Sequence, residues 1–256
     1  MNPREYEALF RTEDRHWWFV AVRQEVTRAV ARQMSSERRR KLRWLDAGSG
    51  TGGLLAHLEL GGEATRAGVD ESLDALALAR KRRLAIAAGS VTSLPFPDES
   101  FDLVTSIDVL CHRDVEKLPA LAEARRCLRP GGVLVLQVPA FDWLASEHDR
   151  AVWTDRRYRR REVEALLREA GFALLESFYR ISLLFPAAAL ARLAKRRSGP
   201  ERKARSEVRP APPLANAFFG SLLRLESAAA ALGLRLPFGL SVFCVAQKAS
   251  VGDPSR

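Results

Sequence analysis

Short apolar runs alternate with helically periodic segments along most of the chain from residue 42 onward. Seven runs have the length and the flanking turn residues of β-strands. They are residues 42–48, 64–70, 84–90, 101–108, 133–139, 173–182 and 241–248. Between most of them an apolar residue recurs every three or four positions, which is typical of amphipathic helices. These segments are residues 51–60, 72–80, 114–128 and 158–172. The alternation predicts an α/β fold with a mostly parallel sheet.

Two parts of the chain lie outside this alternation. Residues 1–41 have the pattern of two helices with an aromatic cluster between them. About sixty residues separate the sixth strand from the seventh, which is too many for a passive loop. We therefore predict an N-terminal helical lid, a sheet domain, a helical insertion and a tail. They comprise residues 1–41, 42–182 plus 241–248, 183–240 and 249–256, respectively.

The insertion has three segments with different compositions. A short apolar helix is predicted at 184–194, a basic, proline-containing linker at 195–213, and a second helix at 214–232. Apolar residues of the second helix recur every three or four positions and predict one packing stripe. They are Leu214, Phe218, Leu222, Leu225, Ala229 and Leu232. Three interpretations follow: a cap on the protein's own sheet, a homodimer interface, or a surface for peripheral membrane contact.

Composition narrows the class of protein. The 256 residues are 47% hydrophobic and 28% charged, which is typical of a globular domain with a substantial core. The three cysteines have no CxxC spacing, so we predict neither a disulfide scaffold nor a metal site, and a reducing cytoplasm is the simplest setting. The start of the chain has no basic flank followed by an apolar run, so no signal peptide is predicted. The apolar stretches near 181–191 and 212–223 are about half of the ~20 residues that a spanning helix needs.

Charge is concentrated in the insertion. The net charge of the chain is +10, and residues 192–209 hold eight Arg or Lys and two Glu. Nucleic acid is not the partner we expect, because the basic run lacks interleaved aromatic residues and no nucleic-acid module is recognisable. On the membrane interpretation, the protein would lie at the inner face of the membrane.

The sharpest motif is a glycine-rich turn between the first predicted strand and the following helix. Its sequence from Asp46 is DAGSGTGG, with glycines at 48, 50, 52 and 53. Glycines let the backbone turn tightly and let a ligand approach the main chain. Asp70 closes the next strand, 22 residues after Gly48, where a carboxylate can accept hydrogen bonds from ribose hydroxyls. The pattern indicates a nucleoside-containing cofactor, and on its own it also fits an NAD-binding oxidoreductase.

Four stretches together resemble class I S-adenosylmethionine-dependent methyltransferases. They are LDAGSGTG, the strand end GVD, SLPFPDESFDLV, and LRPGG before an apolar strand. The resemblance covers about residues 42–182 plus 241–248. It implies a Rossmann-like seven-stranded sheet whose last strand is antiparallel, and it implies S-adenosylmethionine as cofactor. It also implies methyl transfer to an acceptor, with oxygen or nitrogen as the expected acceptor atom. Beside a small molecule, the insertion suggests a lipid or lipid-linked acceptor. A non-catalytic regulatory protein that binds the cofactor is the alternative.

The resemblance also implies cofactor-binding residues. The turn from Gly48 through Gly50 to Gly52 would lie against the methionine portion and the ribose. Asp46 would order the turn and the amino end of the cofactor, and Asp70 would bind the ribose hydroxyls. Near the adenine amine, where the family usually carries an acid, this chain has Ser90. Adenine recognition is therefore expected to depend more on backbone groups around Val91.

Transfer to oxygen or nitrogen requires an acceptor that has lost a proton, and strand ends on the cofactor side supply the candidate bases. Asp108 and His112 form an Asp-x-x-x-His sequence after the fourth strand. They are predicted either to act as base or to line the cofactor pocket and cap the following helix. His148, in the loop after the fifth strand, is a second candidate base. Tyr158, at the end of that loop, could orient the acceptor or simply begin a helix.

The aromatic cluster in the N-terminal segment is the last candidate feature. Trp17, Trp18 and Phe19 follow His16 directly. They are predicted to form either a hydrophobic latch on the sheet or a lid whose aromatic faces lie near the sulfonium. Arg23, one helical turn further on, would then face the same cavity mouth.

Overall fold

The computed structural model describes residues 3–58, 62–197 and 210–249. A seven-stranded sheet in the order β3-β2-β1-β4-β5-β7-β6 forms its centre. The strands are β1 (Arg43–Ala47), β2 (Thr65–Asp70), β3 (Ile86–Ala88), β4 (Phe101–Ile107), β5 (Leu128–Pro139), β6 (Phe172–Arg180) and β7 (Ser241–Lys248). β7 lies antiparallel between β5 and β6, whereas the pairs from β3 through β5 are parallel. The predicted fold is confirmed.

Helices cover both faces of this sheet. They are α1 (Pro3–Thr12), α2 (Trp17–Gln33), α3 (Ser36–Arg40), α4 (Gly53–His57), α5 (Leu73–Lys81), α6 (Lys117–Cys127), α7 (Glu147–Ala151), α8 (Arg160–Glu169), α9 (Phe185–Arg197) and α10 (Pro213–Ala231). Buried side chains of α6 and α8, such as Leu121 and Leu167, form one core with the sheet. Buried side chains of α2, such as Val26, form the other core with Trp44 and Leu103. The mostly apolar strands are therefore covered on both faces.

Residues 1–41 contain three helices, α1, α2 and α3, and not the two that were predicted. Three further predictions of local structure also differ. β5 begins at Leu128, the first residue of LRPGG, because Leu128 pairs with Phe101 ahead of an irregularity in the ladder. The aromatic cluster does not lie between two helices but forms the first turn of α2, which His16 caps with its side chain. The helix predicted at 51–60 is seen at Gly53–His57, and its last positions lie outside the described residues.

The insertion forms the helices α9 and α10, and α10 packs against α2. Leu223 of α10 is buried with Ala21 and Ile181. The predicted stripe is not the packing face, because most of its large side chains are exposed, including Leu214 and Phe218. Most of the basic linker and the end of the tail, residues 198–209 and 250–256, lie outside the described residues.

The order of the strands determines where a ligand can enter. The chain proceeds from β1 outward to β2 and β3, and then returns to place β4 on the other side of β1. Loops that leave the carboxyl ends of β1 and β4 therefore diverge and leave a crevice. The glycine-rich turn follows β1, and the Asp108–His112 segment follows β4.

Candidate functional site

A cavity of about 1000 Å³ occupies this crevice. Its lining includes Asp70, Asp108 and the glycine-rich turn, and it extends to α9 and to the start of α10. Ligand pockets usually measure about 300–1,000 Å³, so the cavity has room for a nucleoside cofactor and a second molecule.

The glycine-rich turn is shaped by left-handed backbone at Gly48 (φ 81°) and Gly50 (φ 54°). A Cβ atom on Gly48 would overlap Cγ2 of Val109, so the turn lies directly against the segment after β4. Both glycines line the cavity. Gly52 is turned away from it, because a Cβ there would meet Leu84, and Gly52 instead begins α4.

Asp70 is buried at the end of β2 and links the turn to the next helix. Its Oδ2 accepts a hydrogen bond from the Gly50 N–H at 2.8 Å, and its Oδ1 accepts one from the Ser72 N–H at 2.9 Å. Burial raises the pKa of this carboxyl, and the two backbone donors oppose that shift. Each carboxylate oxygen has a further lone pair, so Asp70 can still accept bonds from a ligand in the cavity.

Asp46 is the other buried carboxyl of the cofactor half. Its Oδ1 accepts a hydrogen bond from the Thr105 hydroxyl at 2.6 Å. Burial raises its pKa to about 7, and the nearby Asp70 and Glu13 carboxyls add to the shift. A positively charged ligand beside it would favour the ionised form.

Of the two residues predicted near the adenine, Val91 lines the cavity and Ser90 does not. Val91 and Gly89 line the cavity. Ser90 is not among the lining residues, and its hydroxyl lies 2.9 Å from that of Thr92. The chain therefore offers Gly89 and Val91, rather than the Ser90 side chain, at this end of the cavity.

Asp108 lines the cavity at the end of β4, where it has a left-handed backbone (φ 55°). Its Oδ2 accepts a bond from the Gln137 side chain at 3.3 Å, and the Gln137 Oε1 accepts one from buried Arg180 at 2.9 Å. In the described structure Oδ1 is buried without a hydrogen-bond partner. Burial raises the Asp108 pKa to about 7, which suits a group that takes up a proton near neutral pH.

His112 and His148 reach the same cavity from different loops. Burial lowers the pKa of His112, so its imidazole is neutral near pH 7. Among the described residues, its Nδ1 is buried without a hydrogen-bond partner. His148 belongs to the one-turn helix α7, which Asp149 stabilises by accepting bonds from Ser146 and a two-point ion pair from Arg157.

Trp17, Trp18, Phe19 and Arg23 all line the cavity. The insertion fixes the start of this aromatic wall, because Asn216 accepts a hydrogen bond from the Trp17 N–H at 2.8 Å. The Trp17 ring also packs against Phe219, with centroids 5.3 Å apart. The Arg23 guanidinium donates to the carbonyls of residues 13 and 14, so it ties α2 to the turn after α1.

Tyr158 was predicted either to orient the acceptor or to begin a helix, and it does not line the cavity. It is almost completely buried, and its hydroxyl donates to the Leu110 carbonyl at 2.9 Å. This hydrogen bond joins the end of the loop after β5 to the loop after β4.

Sequence reasoning missed two contributors to the site. Glu13 of the N-terminal segment lines the cavity and is hydrogen-bonded to Thr51 in the glycine-rich turn and to Arg82. Gln137 and Arg180 support Asp108 from two strands. The sequence did offer a signal for each of these two residues. Gln137 is a polar residue within the apolar run 133–139, and Arg180 is a charged residue near the end of a strand.

Comparison with known proteins supports the predicted family. Residues 45–136 match the methyltransferase domain family. This match supports a class I S-adenosylmethionine-dependent methyltransferase. A ubiquinone/menaquinone biosynthesis C-methyltransferase from Paracoccus denitrificans is 47% identical over 70 residues, which cover 24% of this chain and 27% of the relative. One from Methylobacterium nodulans is 38% identical over 114 residues, which cover 41% and 44%. The chain thus spans under half of the length of these relatives.

The fold of this methyltransferase domain also has solved counterparts. A putative sarcosine dimethylglycine methyltransferase from Galdieria sulphuraria superimposes with a TM-score of 0.60 at 18% identity. The match covers 90% of this chain and 86% of that one. At this identity the likeness shows the fold.

The residues present fit the cofactor that this family uses. The backbone at Gly50 lies at the cavity with no side chain in the way, since the nearest atom to a Cβ there would be 3.7 Å distant. Asp70 has unused acceptor capacity in the same cavity, and Asp46 adds a carboxyl suited to a positively charged amino group.

The described residues contain neither a metal-binding cluster nor a membrane-spanning helix. Within residues 3–58, 62–197 and 210–249, no three His, Cys, Asp or Glu residues are grouped so that they could hold a metal ion. The same residues contain no helix whose length and hydropathy would let it cross a membrane. Cys111, Cys127 and Cys244 are buried free thiols.

Proposed function

We propose that this protein transfers a methyl group from S-adenosylmethionine to an apolar small-molecule acceptor by direct in-line displacement. One observation carries the proposal. A single cavity has the glycine-rich turn and Asp70 in its lining, and it also contains Asp108, His112 and the aromatic residues of α2. Cofactor and acceptor would therefore meet without passing through solvent.

The part of the cavity around the glycine-rich turn, Asp46 and Asp70 would bind and orient the cofactor. When bound, the cofactor supplies a methyl group on a positively charged sulfur that leaves as a neutral thioether. Asp70 would accept hydrogen bonds from the ribose hydroxyls, and Asp46 would balance the amino group. Trp17 and Trp18 exclude water from the reacting atoms, and an aromatic face near the sulfonium would contribute roughly 0.5–2 kcal/mol.

The part of the cavity around Asp108 and His112 would activate the acceptor by removing a proton. A hydroxyl, or a ring carbon activated by one, becomes a better nucleophile when it loses its proton. We assign Asp108 to accept that proton at Oδ1, which is buried and has no partner among the described residues. Its pKa of about 7 matches the task, and Gln137 holds its other oxygen. His112, neutral and on the same cavity wall, is the second candidate base.

The acceptor class is inferred from the walls and from the relatives. Apolar side chains of the lid and the insertion line the outer part of the cavity. They include Trp17, Trp18, Phe19, Leu184 and Phe219. Two relatives are named as C-methyltransferases of ubiquinone/menaquinone biosynthesis. Both features support a prenylated phenol or quinol, which combines an apolar tail with an ionisable hydroxyl, and they favour carbon over oxygen or nitrogen as the acceptor atom.

The test is transfer of labelled methyl from S-adenosylmethionine to a prenylated demethylated quinol, followed by extraction into organic solvent. We expect label in the organic phase with the parent protein. Asp108→Asn should reduce turnover by about 10²–10⁴-fold, as expected for loss of a general base, while affinity for S-adenosylhomocysteine changes little. Label confined to the aqueous phase would contradict the apolar acceptor. Tight cofactor binding without transfer to any acceptor would instead support a regulatory protein.

A further inference from the structure

The exposed face of α10 is the largest feature that the proposed reaction leaves unused. Leu214, Phe218, Leu225 and Leu232 are 87%, 63%, 62% and 82% exposed. Their offsets of 4, 11 and 18 residues from Leu214 place them within about 40° of one another around a helix with 3.6 residues per turn. They form one straight apolar row about 27 Å long, at about 1.5 Å per residue.

The same helix is apolar on its opposite side. Leu223 is buried against Ala21 and Ile181, and Phe219 packs on Trp17. A helix with large apolar side chains on two opposite faces normally buries both of them. Here one side is buried in the protein and the other is exposed to water, so the exposed row is a candidate interaction surface.

Further exposed leucines lie on α9 and beyond the end of α10. Leu190 and Leu193 of α9 are exposed, as are Leu234 and Leu236 after α10. On their inner sides both helices line the cavity, through Ala187 and Ala188 of α9 and Phe219 of α10. The apolar surface therefore adjoins the mouth of the proposed acceptor cavity.

Charge identifies what could cover this surface. The chain carries a net charge of +10, and eight of its Arg and Lys residues with two Glu lie within the 192–209 stretch that connects the two helices. Two copies of a chain with this net charge would repel each other if they met through this face. Anionic lipid headgroups would attract them, and the acyl boundary would receive the leucines and Phe218.

We propose that the outer faces of α9 and α10 dock this protein on an anionic membrane surface, with the cavity mouth next to the lipid. The exposed leucines would enter the acyl boundary and the cavity would receive its acceptor from the bilayer without passage through water. The purpose of docking rests on the proposed function. Docking itself is measured without turnover, so failure of one proposal is distinguished from failure of the other.

The experiment is flotation of the full chain with vesicles of phosphatidylcholine alone or mixed with phosphatidylglycerol. The test variant is Phe218→Ser with Leu225→Ser, both on the exposed row. Leu73→Ser is the matched control, because Leu73 is an equally exposed leucine (76%) on a different helix, α5. Withdrawal of one large apolar side chain from water shifts an equilibrium constant by about tenfold or more. The double variant should therefore bind mixed vesicles roughly a hundredfold more weakly, whereas Leu73→Ser should bind like the parent.

Three results would overturn the proposal. The first is no binding of the parent to mixed vesicles, and the second is equal binding to both kinds of vesicle. The third is a parent dimer, seen by light scattering, that the double variant converts to monomer, because a second copy would then cover this face. Near-unchanged melting temperatures of both variants exclude unfolding as the cause of lost binding.

Discussion

Replacement of Asp70 by asparagine tests the cofactor half most directly. Asp70 accepts backbone hydrogen bonds on both oxygens, from Gly50 at 2.8 Å and from Ser72 at 2.9 Å. An amide has one acceptor oxygen, so in Asp70→Asn one of these two N–H groups faces an NH₂ group. The substitution therefore disturbs the turn as well as the side chain that faces the cavity.

The magnitudes follow from these contacts. A buried donor left without an acceptor costs about 1–3 kcal/mol, although loss of a buried charge offsets part of that. A hydrogen bond to a charged group contributes about 1.5–3 kcal/mol, and the amide loses at least one of those that the carboxylate would make to the ribose. Affinity for S-adenosylhomocysteine should therefore fall about 10–100-fold, since about 1.4 kcal/mol is a factor of ten.

The assay is calorimetric titration with S-adenosylhomocysteine, paired with thermal unfolding. Ser72→Ala is the matched control, because Ser72 caps α5 by accepting from the Ala75 N–H but does not line the cavity. It should lose about 1 kcal/mol of stability, as capping serines do, and keep its affinity. The assignment of Asp70 is refuted if Asp70→Asn binds as tightly as the parent. Equal loss of affinity in Ser72→Ala would show that the effect comes from stability alone.

Three further predictions concern neighbouring groups. The raised pKa of Asp46, about 7, means that a bound ammonium group would release a proton from it, so affinity should rise with pH up to about 7 and then level off; titrations across pH should lose this slope in Asp46→Asn. Gly48→Ala should lower the melting temperature, because its Cβ would overlap Val109, and Val109→Ala should restore part of it. Asn216→Ala, which removes the acceptor for the Trp17 N–H, should raise the KM for an acceptor severalfold while S-adenosylhomocysteine titration shows little change.

Local pattern was sufficient to predict the fold and the cofactor turn. Every predicted strand lies within a few residues of the observed one. Glycine and proline interrupt the apolar runs and so mark where the strands end. Asp46 and Asp70 were located because the turn motif fixes their spacing along the chain. Their roles toward a cofactor stay predictions, as does the role of His112.

Features that depend on contacts between distant segments could not be predicted. The support of Asp108 by Gln137 and Arg180 requires the pairing of β4 with β5 and the position of β6. Sequence periodicity also could not show which face of α10 packs on α2, because large apolar side chains lie on both sides of that helix. The position of Tyr158 at the end of a loop fits either an acceptor role or a helix start, and its burial and its bond to the Leu110 carbonyl depend on contact between two loops.

The charge of the cavity is opposite to that of the chain, and this contrast bears on both proposals. Among the residues that the structure describes, eight carboxyl groups and three arginines line the cavity. The carboxyl groups are those of Glu5, Glu13, Asp46, Asp70, Glu71, Asp108, Asp114 and Asp149. Of the arginines, Arg157 is engaged by Asp149 and Arg23 by backbone carbonyls. An acidic cavity attracts a cationic cofactor and disfavours an acceptor with a phosphate or diphosphate group. A neutral headgroup on an apolar tail therefore suits the cavity, while the net charge of +10 suits an anionic lipid surface.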